Sequence, residues 1–176
     1  MPKAKHVLIP RLPAGSIRAS GNAHWLFSLI AGSLTQFFSL ETSAWIGRTA
    51  SWIWTAVAWL MLTDALRLRR IYSPFAMCGW LLAVDWGNWS GEWAVGGFEG
   101  KSLAYPAVLI ALAYLSRERF AAVWLWSALA VAFHPLVGLW AGESMWLAWL
   151  LWGRGQSPTR KQWAAWTGAF FLASLV

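Results

Sequence analysis

The chain is poor in the two things that mark most soluble and secreted proteins, charge and cysteine. Among 176 residues only 12% are charged, and Cys78 is the single cysteine. One thiol permits neither an internal disulfide nor a thiolate metal cluster. Lying in an apolar run, Cys78 is expected to pack against its neighbours. Soluble domains carry roughly 25% charged residues; 12% charged beside 59% hydrophobic, with a mean hydropathy of +0.48, falls outside that range. Acids are scarcer still, 7 against 14 lysines and arginines. Low-complexity stretches, an internal repeat and the alternation of a barrel strand are all missing. The basic leader contains prolines and no apolar core that a signal peptidase would release, so residues 1–20 read as a cytoplasmic tail and 21–176 as a helical membrane domain.

What the chain has is a pattern in its cations. They fall in the leader (Lys3, Lys5, Arg11, Arg18), at Arg67, Arg69 and Arg70, at Arg117 and Arg119, and at Arg154, Arg160 and Lys161; only Arg48 and Lys101 lie elsewhere. Cytoplasmic loops retain Lys and Arg, so these four sets mark one side of a membrane. The gaps near Glu41, from Asp85 to Gly100, and at His134 then face out. Asp64 and Glu118 are the acids outside this scheme. The net charge of +7 is accounted for by this surplus, which removes the reason to infer a nucleic-acid partner. The 17 tryptophans suit a chain with many membrane interfaces.

Seven apolar segments follow: His24 to Leu40, Ala44 to Leu66, Pro74 to about Trp86, Ser102 to Leu115, Phe120 to Phe133, Leu136 to Trp152, and Trp163 to Val176. Lipid requires backbone groups to be satisfied within each segment, so all are predicted helical and the fold class is an all-α, polytopic membrane protein of about seven spans. Several segments are short, since ~14 residues reach only ~21 Å of the roughly 30 Å of hydrocarbon. The last ends at Val176 without a flanking charge and reads as cut off, as in a fragment of a larger helical membrane protein. If the third helix runs on to Trp93, Asp85, Asn88 and Glu92 share one face of its outer half. Gly96 and Gly97 predict a tight outer turn, and Pro106 a kink in the returning helix.

The candidate site residues gather in the outward gaps. Glu92 and Glu99 are candidate bases, Lys101 a phosphate clamp, and His134 a proton relay or phosphate donor. The bland reading is that Glu99 and Lys101 neutralise each other across a turn, and that His134 caps the helix starting at Pro135. Arg48, one turn into its span, is either a snorkelling anchor or a second phosphate contact, with Asp85 also near the recess. Glu143 lies some seven residues into its span, where a charge must be protonated, paired or hydrated. Gly138 and Gly142 have the spacing for close helix approach. Gly100-Lys101-Ser102 is not a nucleotide-binding loop, because Val95 stands where its first glycine belongs and no strand precedes it. Asn88-Trp89-Ser90 matches a glycosylation sequon by chance composition. No metal site and no cofactor is read from these residues.

Two stretches carry a resemblance. Ser20-Gly21-Asn22-Ala23-His24-Trp25-Leu26 through Glu41 to Arg48 is one; Gly91 to Lys101, Ala104-Tyr105 and Ala132-Phe133-His134-Pro135-Leu136-Val137-Gly138 make up the other. Together they resemble an uncharacterised family of multi-spanning bacterial membrane proteins, over most of the chain. More loosely, the outward polar loop, Arg-rich inward loop and short spans are similar to GT-C-type membrane glycosyltransferases, which use polyprenyl-phosphate-linked sugars. That resemblance implies an acidic base in the first outward loop, where this chain has only Glu41.

The reading is thus a multi-pass protein of the bacterial inner membrane, N-terminus in the cytoplasm, its partners the bilayer and a lipid-linked sugar. Glycosyl transfer would use Glu92 or Glu99 as base, Lys101 and Arg48 on the lipid phosphate, and His134 on the leaving group. The alternatives are a transporter or permease using Glu143 with Asp85, and a non-catalytic membrane subunit.

Overall fold

The computed structural model describes residues 24–87, 95–152 and 168, and all regular structure among them is helical. The elements are α1 (Trp25–Phe37), α2 (Leu40–Ala65), a single 3-10 turn (Arg70–Tyr72), α3 (Ser73–Trp86), α4 (Gly100–Leu115), α5 (Phe120–Phe133) and α6 (Pro135–Trp152). The all-α expectation stands. No helix among the described residues is long and apolar enough to cross a membrane. Helices of 13 to 16 residues, as in α1, α3, α4 and α5, extend ~20–24 Å, and the 26 residues of α2 include Glu41, Arg48 and Asp64.

Local chemistry sets the helix ends. Ser39 caps α2, its Oγ accepting the Thr42 N–H at 3.2 Å, and Glu41 meets the positive end of the helix in its first turn. α2 therefore starts four residues before the apolar run at Ala44, which moves Arg48 to two turns inside the helix instead of one. α2 and α4 stop in the same way. Arg67 and Glu118 each adopt φ 56°, and the next amide reaches back five residues: Leu68 N–H to Thr63 O at 2.8 Å, Arg119 N–H to Tyr114 O at 3.0 Å. α3 runs from Ser73 to Trp86 with Gly87 as its C-cap, and residues 88–94, over which the conditional continuation to Trp93 would run, lie outside the described residues. Asn88, Gly91 and Glu92 lie outside the described residues, as do the leader, the basic set from Arg154, and all but Gly168 of the final segment.

α4 is the hub, packed against α2, α5 and α6. Ala104, Ala107 and Ala111 are fully buried on it, as is Pro106 inside the helix. The buried face of α2 begins with small residues at intervals of four, Ser43, Gly47, Ser51 and Thr55, and continues with Ala58, Trp59 and Leu62, which pack with Leu109, Ile110 and Ala113 of α4. Two of the hydroxyls bond back to their own helix, Ser51 Oγ to Arg48 O at 2.8 Å and Thr55 Oγ1 to Ser51 O at 2.7 Å, so polar atoms enter the seam without needing a partner across it. The opposite face exposes Trp52, Ile53, Val57 and Leu60. A clip then joins α2 to α3: Trp59 Nε1 donates to Ser73 O at 3.0 Å, and the Thr63 and Ser73 hydroxyls lie 3.2 Å apart.

α2 and α4 run parallel. At one end the Phe98 ring lies on Gly47; at the other Arg117 Nη2 donates to Asp64 Oδ2 at 2.8 Å. These are the Glu99 end and the Arg117 end of the bundle. Arg67, Arg69, Arg70, Arg117 and Arg119 all belong to the Arg117 end, whereas Arg48 and Lys101 belong to the other.

Two expectations are corrected, for α1 and for Cys78. α1 does not cross the bundle, because its first turn packs at the Glu99 end, with Phe27 5.0 Å from Phe98, and its last residue stands three positions before the start of α2 at that same end. The apolar stretch from His24 to Leu40 is a half-length helix laid on the bundle end. Cys78 is exposed on α3 and not packed. Glu143 points outward from α6 and forms no ion pair among the described residues.

Gly138 bears out the expectation of close helix approach: a methyl group there would meet the backbone of Val131 on α5. Gly138→Ala is therefore expected to lower stability by about 1–3 kcal/mol, the usual cost of overpacking a tight contact. Gly32→Ala, with open space around it on α1, should leave stability unchanged or raised. Thermal unfolding of the two purified variants checks this, and equal melting temperatures would refute the close contact.

Candidate functional site

The Glu99 end collects polar side chains from four elements. Glu99 is the residue before α4, in extended geometry, and Ser102 ties it down: Glu99 N–H donates to Ser102 Oγ at 3.2 Å, and that hydroxyl donates to Glu99 O at 2.7 Å. The run from Val95 to Glu99 is a series of bends with Gly96 at φ 147°, in keeping with the turn expected there. With its backbone fixed, Glu99 directs Oε2 to Lys101 Nζ at 3.2 Å. The carboxylate side chain is 55% exposed and the lysine 10%, so the ammonium is recessed and the carboxylate forms its rim.

Two imidazoles lie at the same end. His24, at the head of α1, places Nδ1 3.1 Å from Phe133 O, an atom that only accepts, so Nδ1 carries the proton. In the neutral ring Nε2 of His24 is then an acceptor. His134 stands between α5 and α6, and its Nδ1 accepts the Val137 N–H at 3.4 Å, which leaves the proton of the neutral ring on Nε2. The rings are 4.6 Å apart between centroids and tilted by 46°. Gly100 makes their meeting possible, because a side chain there would strike Phe133 O and lie 3.2 Å from His24 Nδ1. The start of α4, the end of α5 and the head of α1 thus converge on one point.

Buried donors without partners occur on the elements that form this end. Among the described residues, Trp25 Nε1 next to His24, and Ser43 Oγ and Arg48 Nε flanking Gly47, are buried and unbonded. A buried donor left unpaired costs about 1–3 kcal/mol, so such atoms call for an acceptor. The Arg48 guanidinium also lies 5.0 Å from the centre of the exposed Trp45 ring.

Of the expected site residues, Glu99, Lys101, His134 and Arg48 share this end. Asp85 is exposed near the end of α3, its side chain in no ion pair with the described residues, and Glu92 lies outside them. Glu143 sits on α6, which packs on α4 and α5, while α3, which carries Asp85, packs on α2 and the 3-10 turn. The cap role foreseen for His134 and the ion pair foreseen for Glu99 with Lys101 are both present. His24, Gly100 and Trp25 stand in the sequence motifs quoted above, but no role at the site was expected of them. The signal available was their place beside a polar turn, with His24 directly before an apolar run.

Comparison of the chain with protein-family models, with curated proteins and with solved structures returned no match.

Cysteines replacing His24 and His134 should be bridged by a short bis-maleimide, as expected for side chains whose rings nearly touch. If α1 instead crossed the bundle, position 24 would lie at the Arg117 end, and no cross-linked peptide pair would appear by mass spectrometry.

Proposed function

We propose that the chain is a membrane-embedded helical protein that acts at its Glu99 end on a phosphate-bearing lipid, with GT-C-like glycosyl transfer as the reaction. Support for the bilayer comes from α2, whose first four turns bury Ser43, Gly47, Ser51 and Thr55, with Ala58, Trp59 and Leu62 buried beyond them, while Trp52, Ile53, Val57 and Leu60 are left exposed. Each large apolar side chain left in water would forgo about 1.5–3 kcal/mol. Phe75 and Leu82 on α3, Leu125 on α5, and Trp140 and Leu147 on α6 are exposed in the same way. Short helices are accommodated by local thinning of the bilayer and by polar ends held at headgroup level.

The observation that carries the reaction is the meeting of the Glu99–Lys101 pair with two imidazoles at an end whose elements carry unpaired buried donors. Lipid phosphate sits at headgroup depth while its tail stays in hydrocarbon, so a recessed ammonium there binds it in place. In the reaction, Glu99 accepts the proton of the acceptor hydroxyl. The acceptor oxygen forms the new bond to the sugar carbon, and the bond from that carbon to the phosphate oxygen breaks with its electron pair left on phosphate. Lys101 and Arg48 hold the resulting anion, and a ring N–H of His134 assists its departure.

Lys101→Ala is expected to weaken binding of undecaprenyl phosphate by at least about tenfold, whereas Glu99→Gln should keep binding and lose turnover. Binding is read by titration of the protein in nanodiscs, and turnover by release of lipid phosphate from labelled lipid-linked sugars. Unchanged binding in Lys101→Ala would overturn the site.

A further inference from the structure

The Arg117 end contains a second polar recess that the reaction above does not use. A cavity of about 620 Å³ opens between the end of α2, the 3-10 turn, the start of α3 and the turn joining α4 to α5. Val57, Leu60, Met61 and Leu68 supply the apolar part of the lining; Asp64, Arg70, Arg117, Thr63 and Ser73 supply the polar part.

We infer that this cavity binds the phosphate headgroup of an anionic phospholipid, with the upper part of an acyl chain along Val57 and Leu60. The inference rests on the membrane reading and is independent of the chemistry at the Glu99 end.

The donor inventory leads to phosphate. Thr63 Oγ1 donates to Trp59 O at 3.0 Å and Ser73 Oγ faces Thr63 at 3.2 Å, so the hydroxyls satisfy one another. The N–H groups left to a ligand belong to the two arginines. Arg117 gives one to Asp64 at 2.8 Å and keeps the rest of its fork; Arg70 is exposed and has no carboxylate partner among the described residues. Two guanidinium groups against one carboxylate leave a net positive lining, and planar forks suit the paired oxygens of a phosphate. Arg67, Arg69 and Arg119 add to the field at this end.

Size and polarity select the lipid over the free ion. The volume falls in the ~300–1,000 Å³ range that whole small molecules fill, which is more than a bare phosphate needs. The apolar part of the lining includes α2 side chains that are half exposed, Val57 at 50% and Leu60 at 57%, and these provide a path for a hydrocarbon tail. Basic recesses between helices at the cytoplasmic side are where anionic headgroups are expected to lodge. Asp64 then acts as a restraint: it holds Arg117 in place but competes with the phosphate.

The test is native mass spectrometry of the purified protein in neutral detergent, titrated with phosphatidylglycerol, phosphatidylcholine or inorganic phosphate. Phosphatidylglycerol should bind at least about tenfold more tightly than phosphatidylcholine, and Arg70→Gln should reduce that binding about fivefold, the weight of one interfacial arginine. Asp64→Asn should strengthen it, an outcome that a purely structural ion pair would not give. Equal binding of the two lipids, unchanged binding in Arg70→Gln, or weaker binding in Asp64→Asn would each overturn the proposal. Displacement of the lipid by equimolar inorganic phosphate would overturn the choice of occupant. Carbonate extraction of the same protein from membranes tests the bilayer reading separately, since release into the wash would defeat that reading whatever the lipid titration shows.

Discussion

The close contact of α2 with α4 is the constraint on which the rest of the arrangement depends. Over the first half of α2 the buried face is made of Ser43, Gly47, Ser51 and Thr55, with the Phe98 ring on Gly47, and over the second half Ala58, Trp59 and Leu62 pack with Leu109, Ile110 and Ala113 of α4. The Ser51 and Thr55 hydroxyls bond to carbonyls of their own helix, so neither requires a polar match across the contact. Its register places Gly47 beneath Phe98 and Asp64 beside Arg117. A shift by one turn would separate both pairs and remove the difference between the two ends.

That difference organises the chemistry. At the Arg117 end, α2 and α4 stop at left-handed residues that turn the chain sharply and leave arginines outside the last helical turns. At the other end the cations are few, and each is placed: Lys101 against Glu99, Arg48 over Trp45 with Nε unbonded. One end has a general positive field with an apolar-walled recess, the other a small set of oriented donors, acceptors and a carboxylate. The first arrangement suits retention of an anionic molecule, and the second suits its chemical transformation.

Much of this was legible in the residues. The apolar run from Phe120 to Phe133 is α5 residue for residue, and α3 and α6 begin within one residue of their expected starts. The segregation of Arg67, Arg69, Arg70, Arg117 and Arg119 from Glu99 and Lys101 survives in three dimensions, because charges at helix ends stay there once helices alternate. The course of α1 was not legible. An apolar stretch of under twenty residues has the same composition whether it crosses a bundle or lies on its end. His24 was missed for the same reason, since its partners, Phe133 O and His134, are more than a hundred residues away in sequence. Arg48 was placed too near its helix end because the cap at Ser39 begins α2 before the apolar run does. Glu99 with Lys101 was foreseen because the two residues are local neighbours.

The account stands most directly on the claim that the two ends of the bundle face opposite sides of a membrane. With the exposed Cys78 changed to Ser, single cysteines at Gly97 and at Arg69 can be compared in intact cells with a membrane-impermeant maleimide. Labelling at Gly97 from outside, and at Arg69 only after permeabilisation, is the expected result. Equal labelling of both positions, or the reverse order, would contradict it.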